Sequence, residues 1–187
     1  MTVNSRFRKS LLLVCMLFLT SIAFSQDIAF KNTNFKEDKQ GLKSAKEDIE
    51  TADEMREKGI EKTLLMQDAS IIFSQAIFHY NKAQAFNSNN AELNYKIGSS
   101  LLFTNQKEKA YSYLVKAKDL KGDLPAEFLF YYAMALQLNG DYTSAIKQFE
   151  QFKETAKSKV YALYEVFTKK YIKECQGADE VLATEHR

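Results

Sequence analysis

Apolar residues recur along most of this chain at steps of three and four, the spacing of one face of an α-helix, with charged residues between them. Leu42, Ala45, Ile49, Ala52 and Met55 form one such stripe, which predicts a helix over 42–58 with Gly59 as its stop. Leu64, Leu65, Ala69, Ile72, Ala76, Tyr80 and Ala83 form the next, over about 61–86, ended by Asn87-Ser88-Asn89-Asn90. Two further helix pairs are predicted over 91–121 and 126–157, turning at 104–106 and at Asn139-Gly140-Asp141. Pro125 stands at the head of the third pair, where its missing N–H costs nothing. A last helix over 160–175 sets Val160, Leu163, Phe167, Tyr171 and Ile172 against Lys169, Lys170, Lys173 and Glu174, and is expected to close the stack before Gly177. No long stretch alternates with a period of two, and one proline and six glycines leave few strand turns. The expected fold class is therefore all-α.

Small residues repeat within these pairs. Gly98, Ala110, Leu114 and Ala117 stand at intervals of 12, 4 and 3, and Ala133, Ala145, Phe149 and Phe152 repeat the intervals. Ala76, Tyr80 and Ala83 keep the last two, so the anchors Ala76, Ala110 and Ala145 lie 34 and 35 residues apart. Gly98 and Ala133 mark where two helices can come close, with Ile97, Leu101 and Leu114, or Tyr132, Leu136 and Phe149, filling the space around them. Counting 12 back from Ala76 lands on Leu64, so the first pair carries an insertion and Ala52 is expected to take the small-residue part. Pairs of this length cannot bury their apolar faces alone. The expected architecture is an α-solenoid of about three antiparallel pairs plus a C-terminal capping helix.

The chain's first residues change the charge balance. Arg6, Arg8 and Lys9 precede an uncharged apolar run from Leu11 to Phe24, and Ala23-Phe24-Ser25 supplies a cleavage site, so residues 1–25 read as an export signal. A retained span would need about 20 apolar residues, and a lipid anchor on Cys15 would need a small residue where Val14 stands. Residues 26–35 are then a flexible arm, 36–177 the helical domain and 178–187 a tail. The signal holds three of the 26 basic residues and none of the 24 acidic ones, so the remainder is close to neutral. Its interleaved charges describe wet helix faces rather than a nucleic-acid surface. Cys175 is left without a cysteine to pair with, and the fold must hold by packing.

Catalysis finds little support. His186 lies in the tail and His79 on a long helix beside Phe78 and Tyr80, with no ligand or base partner at usable spacing. No phosphate loop, metal motif or cysteine pair is present, so no catalytic residue, cofactor or metal is expected. Glu47-Asp48 and Asp53-Glu54 belong to a strongly charged helix. Cys175 carries no mark of activation.

The run from Tyr80 and Ala83 through Asn87-Ser88-Asn89-Asn90-Ala91-Glu92-Leu93-Asn94-Tyr95-Lys96-Ile97-Gly98 resembles the junction between tetratricopeptide repeats. It is similar to the form found in Bacteroidota envelope proteins that continue into a propeller and an OmpA-like, peptidoglycan-binding domain, some of them in gliding and type IX secretion machinery. The ending Tyr171-Ile172-Lys173-Glu174-Cys175-Gln176-Gly177 resembles their capping helix. The resemblance implies a non-catalytic scaffold for protein partners in the cell envelope, periplasmic or on the periplasmic face of the outer membrane. The alternatives are the front of a peptidoglycan-anchored protein, binding that polymer only through domains not in this chain, and a hydrolase with an unrecognised site. No nucleic acid and no membrane span after signal cleavage are expected.

In such repeats the first helix of each pair lines a concave groove. The resemblance thereby places Glu92, Tyr95, Ser99, Leu102 and Phe103, then Glu127, Phe130, Met134, Gln137 and Leu138, on a partner-binding surface. The other reading of these residues is packing against the first pair or the cap. The clamp that some repeats use for a C-terminal carboxylate needs Lys and Asn where Tyr95, Ser99 and Phe130 stand, so an acidic tail is not expected as ligand.

Overall fold

Three helices begin where a side chain accepts from their unpaired first N–H groups. Asp38 accepts from Gly41 N at 2.8 Å, Asn90 from Leu93 N at 2.8 Å and Asp141 from Ser144 N at 3.1 Å. The computed structural model describes residues 26–185, with side chains to residue 181. The expected export signal over 1–25 lies outside the described residues. The described residues form seven α-helices: α1 (Lys39–Leu64), α2 (Ser70–Phe86), α3 (Ala91–Leu101), α4 (Ala110–Asp119), α5 (Glu127–Leu138), α6 (Tyr142–Thr155) and α7 (Ser158–Glu185). Among the described residues there is no strand, and the domain is all-α.

Each helix packs on the next. The pairs α1–α2, α3–α4 and α5–α6 join through α2–α3, α4–α5 and α6–α7, and α5 also touches α3 and α7. The small residues sit at these contacts: Ala52, Ala76, Ala83, Ala110, Ala117, Ala133 and Ala145 are all 0% exposed. A Cβ built on Gly98 would stand 2.7 Å from Leu114 Cγ, so Leu114 rests in the space a side chain would claim.

Two glycines expected to end helices do not. α1 runs through Gly59 to Leu64, and a Cβ at Gly59 would lie 2.9 Å from the Phe73 ring. Glycine is there for close approach, and the gain from seating Phe73 outweighs its helix cost of about 1 kcal/mol. The turn falls instead after Leu64, where Met66 takes φ 58°, and α2 starts at Ser70 rather than near residue 61. The small contact of the first pair is thus made by Gly59 together with Ala52. α7 likewise continues past Gly177 to Glu185, and Thr143 Oγ1 meets Asp179 Oδ2 at 3.1 Å, tying the extension to α6. No neighbour lies close enough to Gly177 to require a glycine there.

The stretch 26–35, expected as a flexible arm, is docked. Asp27 N donates to Leu120 O at 3.2 Å and Ile28 N to Asn89 O at 2.7 Å. Asp27 Oδ1 accepts from Ala91 N at 2.7 Å, adding a carboxylate at the start of α3. Phe30 stacks on Phe86, and Phe35 packs tilted against it. The asparagine run read as a simple helix end is in fact the arm's receptor, with Asn87 Nδ2 donating to Ile28 O at 2.7 Å.

Candidate site on the faces of α1, α3, α5 and α7

The residues placed by resemblance on a binding surface divide into three settings. Tyr95, Ser99, Leu102, Phe130 and Met134 are buried, Phe103, Glu127 and Gln137 are half-buried, and Glu92 and Leu138 are exposed. Phe103, Phe130 and Met134 meet at a slot of about 30 Å³, bounded by Ile60 and Thr63 of α1, Tyr131 of α5 and Phe167 of α7. Leu102, Met134, Gln137 and Leu138 border a second hollow beside α7, where Gln137 Nε2 donates to Glu174 Oε2 at 3.2 Å. Glu92 stands apart, paired with Lys96 at 2.9 Å in a charged trough beside α1.

Phe130 is held in an aromatic cluster with Phe149, Phe152, Tyr164 and Tyr171, at centroid distances of 4.8 to 6.1 Å. Offset and edge contacts of this kind fix rings firmly. Tyr131 is buried beside it, its hydroxyl 3.1 Å from that of Tyr164. Burial pushes the Tyr131 phenol well above its usual range, so it stays neutral.

Arg56 of α1, which sequence reasoning passed over, bonds two of the residues placed on the surface. Its Nη2 donates to Tyr95 Oη at 2.9 Å and to Ser99 Oγ at 3.0 Å, and its Nε to Ser99 Oγ at 3.3 Å. The guanidinium carbon lies 5.0 Å from the Tyr95 ring centre and 5.8 Å from that of Tyr131, a cation held against two aromatic faces. Burial works against the charge of Arg56, while its hydrogen bond to the Tyr95 hydroxyl and the ring faces of Tyr95 and Tyr131 favour it, and the guanidinium stays protonated. Burial likewise pushes the Tyr95 phenol up to about 12. A signal was present in the sequence: Arg56 follows Ala52 by four and precedes Gly59 and Ile60 by three and four, so it stands on the apolar stripe of α1 rather than among the acids beside it.

One turn earlier, Asp53 completes a second polar junction. It accepts from the Tyr80 hydroxyl at 2.6 Å and pairs with Lys96 at 2.8 Å, joining α1, α2 and α3. Burial and the Asp53 hydrogen bond push the Tyr80 phenol strongly upward. His79, which the sequence gives no ligand or base partner at usable spacing, meets Asp48 of α1 at 2.8 Å, and Lys82 reaches the same oxygen at 3.4 Å. Burial opposes the Asp48 charge, but the hydrogen bonds from His79 and Lys82 prevail and hold its carboxyl below the usual range. Among the described residues no hydroxyl hydrogen-bonds to His79. No group of His, Cys, Asp and Glu among them is arranged to hold a metal ion. Cys175 is fully buried, and burial pushes its thiol up to about 11.

No family model, curated protein or solved structure matches this chain. The surface must therefore be read from its own chemistry. It offers one fixed cation, several aromatic edges and a shallow apolar slot, with no nucleophile beside a base. Such a surface can hold a ligand by shape and charge.

Proposed function

We propose that this chain is a non-catalytic docking scaffold of the tetratricopeptide type, exported to the periplasm, that holds a protein partner on the faces of α1, α3, α5 and α7. The observation that carries this reading is the contact of α5 with α3 and α7 in addition to its sequential neighbours. Alternate helices that touch one another form a common face, which is how stacked helix pairs present a binding surface. The slot between Ile60 and Phe167 lies on that face, and its half-buried aromatic rings can anchor a peptide or helix with little loss of freedom. Export is supported by the basic start and apolar run of residues 6–24.

The test is crosslinking in intact cells followed by mass spectrometry, comparing the natural chain with a Phe103→Ser, Phe167→Ser variant whose helicity is checked by circular dichroism. Both rings are only half-buried, which makes them better probes than Tyr95 or Phe130. The variant is expected to lose its crosslinked partners while keeping its helical spectrum. Equal capture by both would remove the slot as the docking surface.

A further inference from the structure

We infer that the docking face carries a receptor for a single carboxylate, in which Arg56 takes the acidic side chain of a partner segment while a neighbouring apolar residue of that segment packs on the Phe103 and Phe167 rings at the mouth of the slot. This rests on the docking reading above and names the chemistry of its partner.

A guanidinium carries five N–H donors. Tyr95 and Ser99 engage Nε and Nη2, whereas Nη1 makes no hydrogen bond to any described residue. Nor does Arg56 form an ion pair with any described residue, although Lys43, Lys82, Lys96, Lys169 and Lys170 each have one. Asp53 is taken by Tyr80 and Lys96, and Glu127, which acts on Tyr95 and Tyr164, does not pair with Arg56. A half-buried cation without a counter-charge is costly. It persists here because two hydroxyl oxygens and two ring faces hold it, and that same hold orients its open edge before any ligand arrives.

The ligand's second feature follows from helix geometry. Ile60 stands one turn beyond Arg56 on α1 and lines the slot with Phe103, Met134 and Phe167. Four residues of helix rise about 6 Å, so the partner's acid and its apolar residue must be separated by about that distance. Positions two apart on an extended segment provide it. An internal acid is favoured over a chain terminus for two reasons. Terminal carboxylates are caught in nests of free backbone N–H groups, but Arg56 and Ser99 lie inside continuous helices whose N–H groups are used. Lys96, one turn before Ser99 on α3, is already paired with Asp53 and Glu92.

The test uses the full chain and short capped peptides carrying glutamate and, two positions on, phenylalanine. Binding is followed by NMR through the Arg56 Nε–H and the Tyr95 and Tyr131 ring signals. The glutamate peptide is expected to shift these signals, and its glutamine counterpart to bind about tenfold or more weakly, as loss of a charged partner predicts. Arg56→Lys, which keeps the charge but loses the fork, is expected to weaken the glutamate peptide more than the glutamine peptide. Should that variant fold poorly, the two peptides on the natural chain still decide the matter. Equal binding of both peptides, or binding of neither, overturns the inference. Tighter binding of a peptide whose only carboxylate is its free end overturns the assignment to a side chain. Cellular capture that needs Phe103 and Phe167 but not Arg56 would end this inference and leave the docking reading standing.

Discussion

The two ends of this helical stack are held by different chemistry. Where α5, α6 and α7 meet, the contacts are aromatic: Phe130, Phe149, Phe152, Tyr164 and Tyr171 form one cluster. Where α1, α2 and α3 meet, polar pairs cross between helices: Asp53 with Tyr80 and Lys96, Asp48 with His79, and Arg56 with Tyr95 and Ser99. The aromatic end gains from burial, which depends on area and tolerates small displacements. The polar end gains little net energy per contact but penalises any arrangement that leaves a buried group unpaired. The first therefore supplies stability and the second supplies register, and the surface built around Arg56 lies at the end where register is enforced.

Three changes would sharpen or break this contrast. Phe149→Ala empties a fully buried position of the aromatic cluster and should cost about 3 to 5 kcal/mol, seen as a marked fall in Tm and in the urea midpoint; a loss similar to that of an exposed residue would refute the assignment of stability to this end. Tyr80→Phe removes only the hydroxyl that donates to Asp53 and should cost about 1.5 to 3 kcal/mol, because the acceptor is charged. Chemical denaturation measures it, and a Lys96→Met background should reduce the effect, since the two share one carboxylate. The smallest effect concerns acid. The Asp48 carboxyl is held below its ordinary 3.8 in the fold, so its stabilisation is complete above that pH and is lost as the pH falls through the lower folded value. Asp48→Asn should remove that part of the acid limb, a few tenths of a kcal/mol for a pair reached by solvent, and leave the alkaline limb unchanged. An acid limb that does not move would show His79 and Lys82 to be idle neighbours.

The helical architecture could be read from the chain because it depends on local period and on residue size. Gly98 against Leu114, and the buried alanines of the repeating spacing, are places where a single residue type carries the packing requirement. Gly59 and Gly177 defeated the same reading. Glycine ends a helix only when the next residues stop it, and at Gly59 a ring 14 positions away decided the matter. The surface was harder. The resemblance gathered Phe103, Phe130 and Met134, which do share a slot, but Tyr95 is engaged by Arg56, and Phe130 is also held in the aromatic cluster. Arg56 meets Ser99 across 43 positions and His79 meets Asp48 across 31. Pairings at such distances are set by the stack as a whole and leave no periodic trace.

The docked arm has a mechanical consequence. Asp27 and Ile28 are fastened to the loop between α2 and α3 and to the end of α4, not to the start of α1 that follows them. Tension applied at residue 26 is therefore delivered to the middle of the fold, across bonds loaded together, before it can peel α1 from its neighbours. A tether at that end would pull on the seam between the first two pairs.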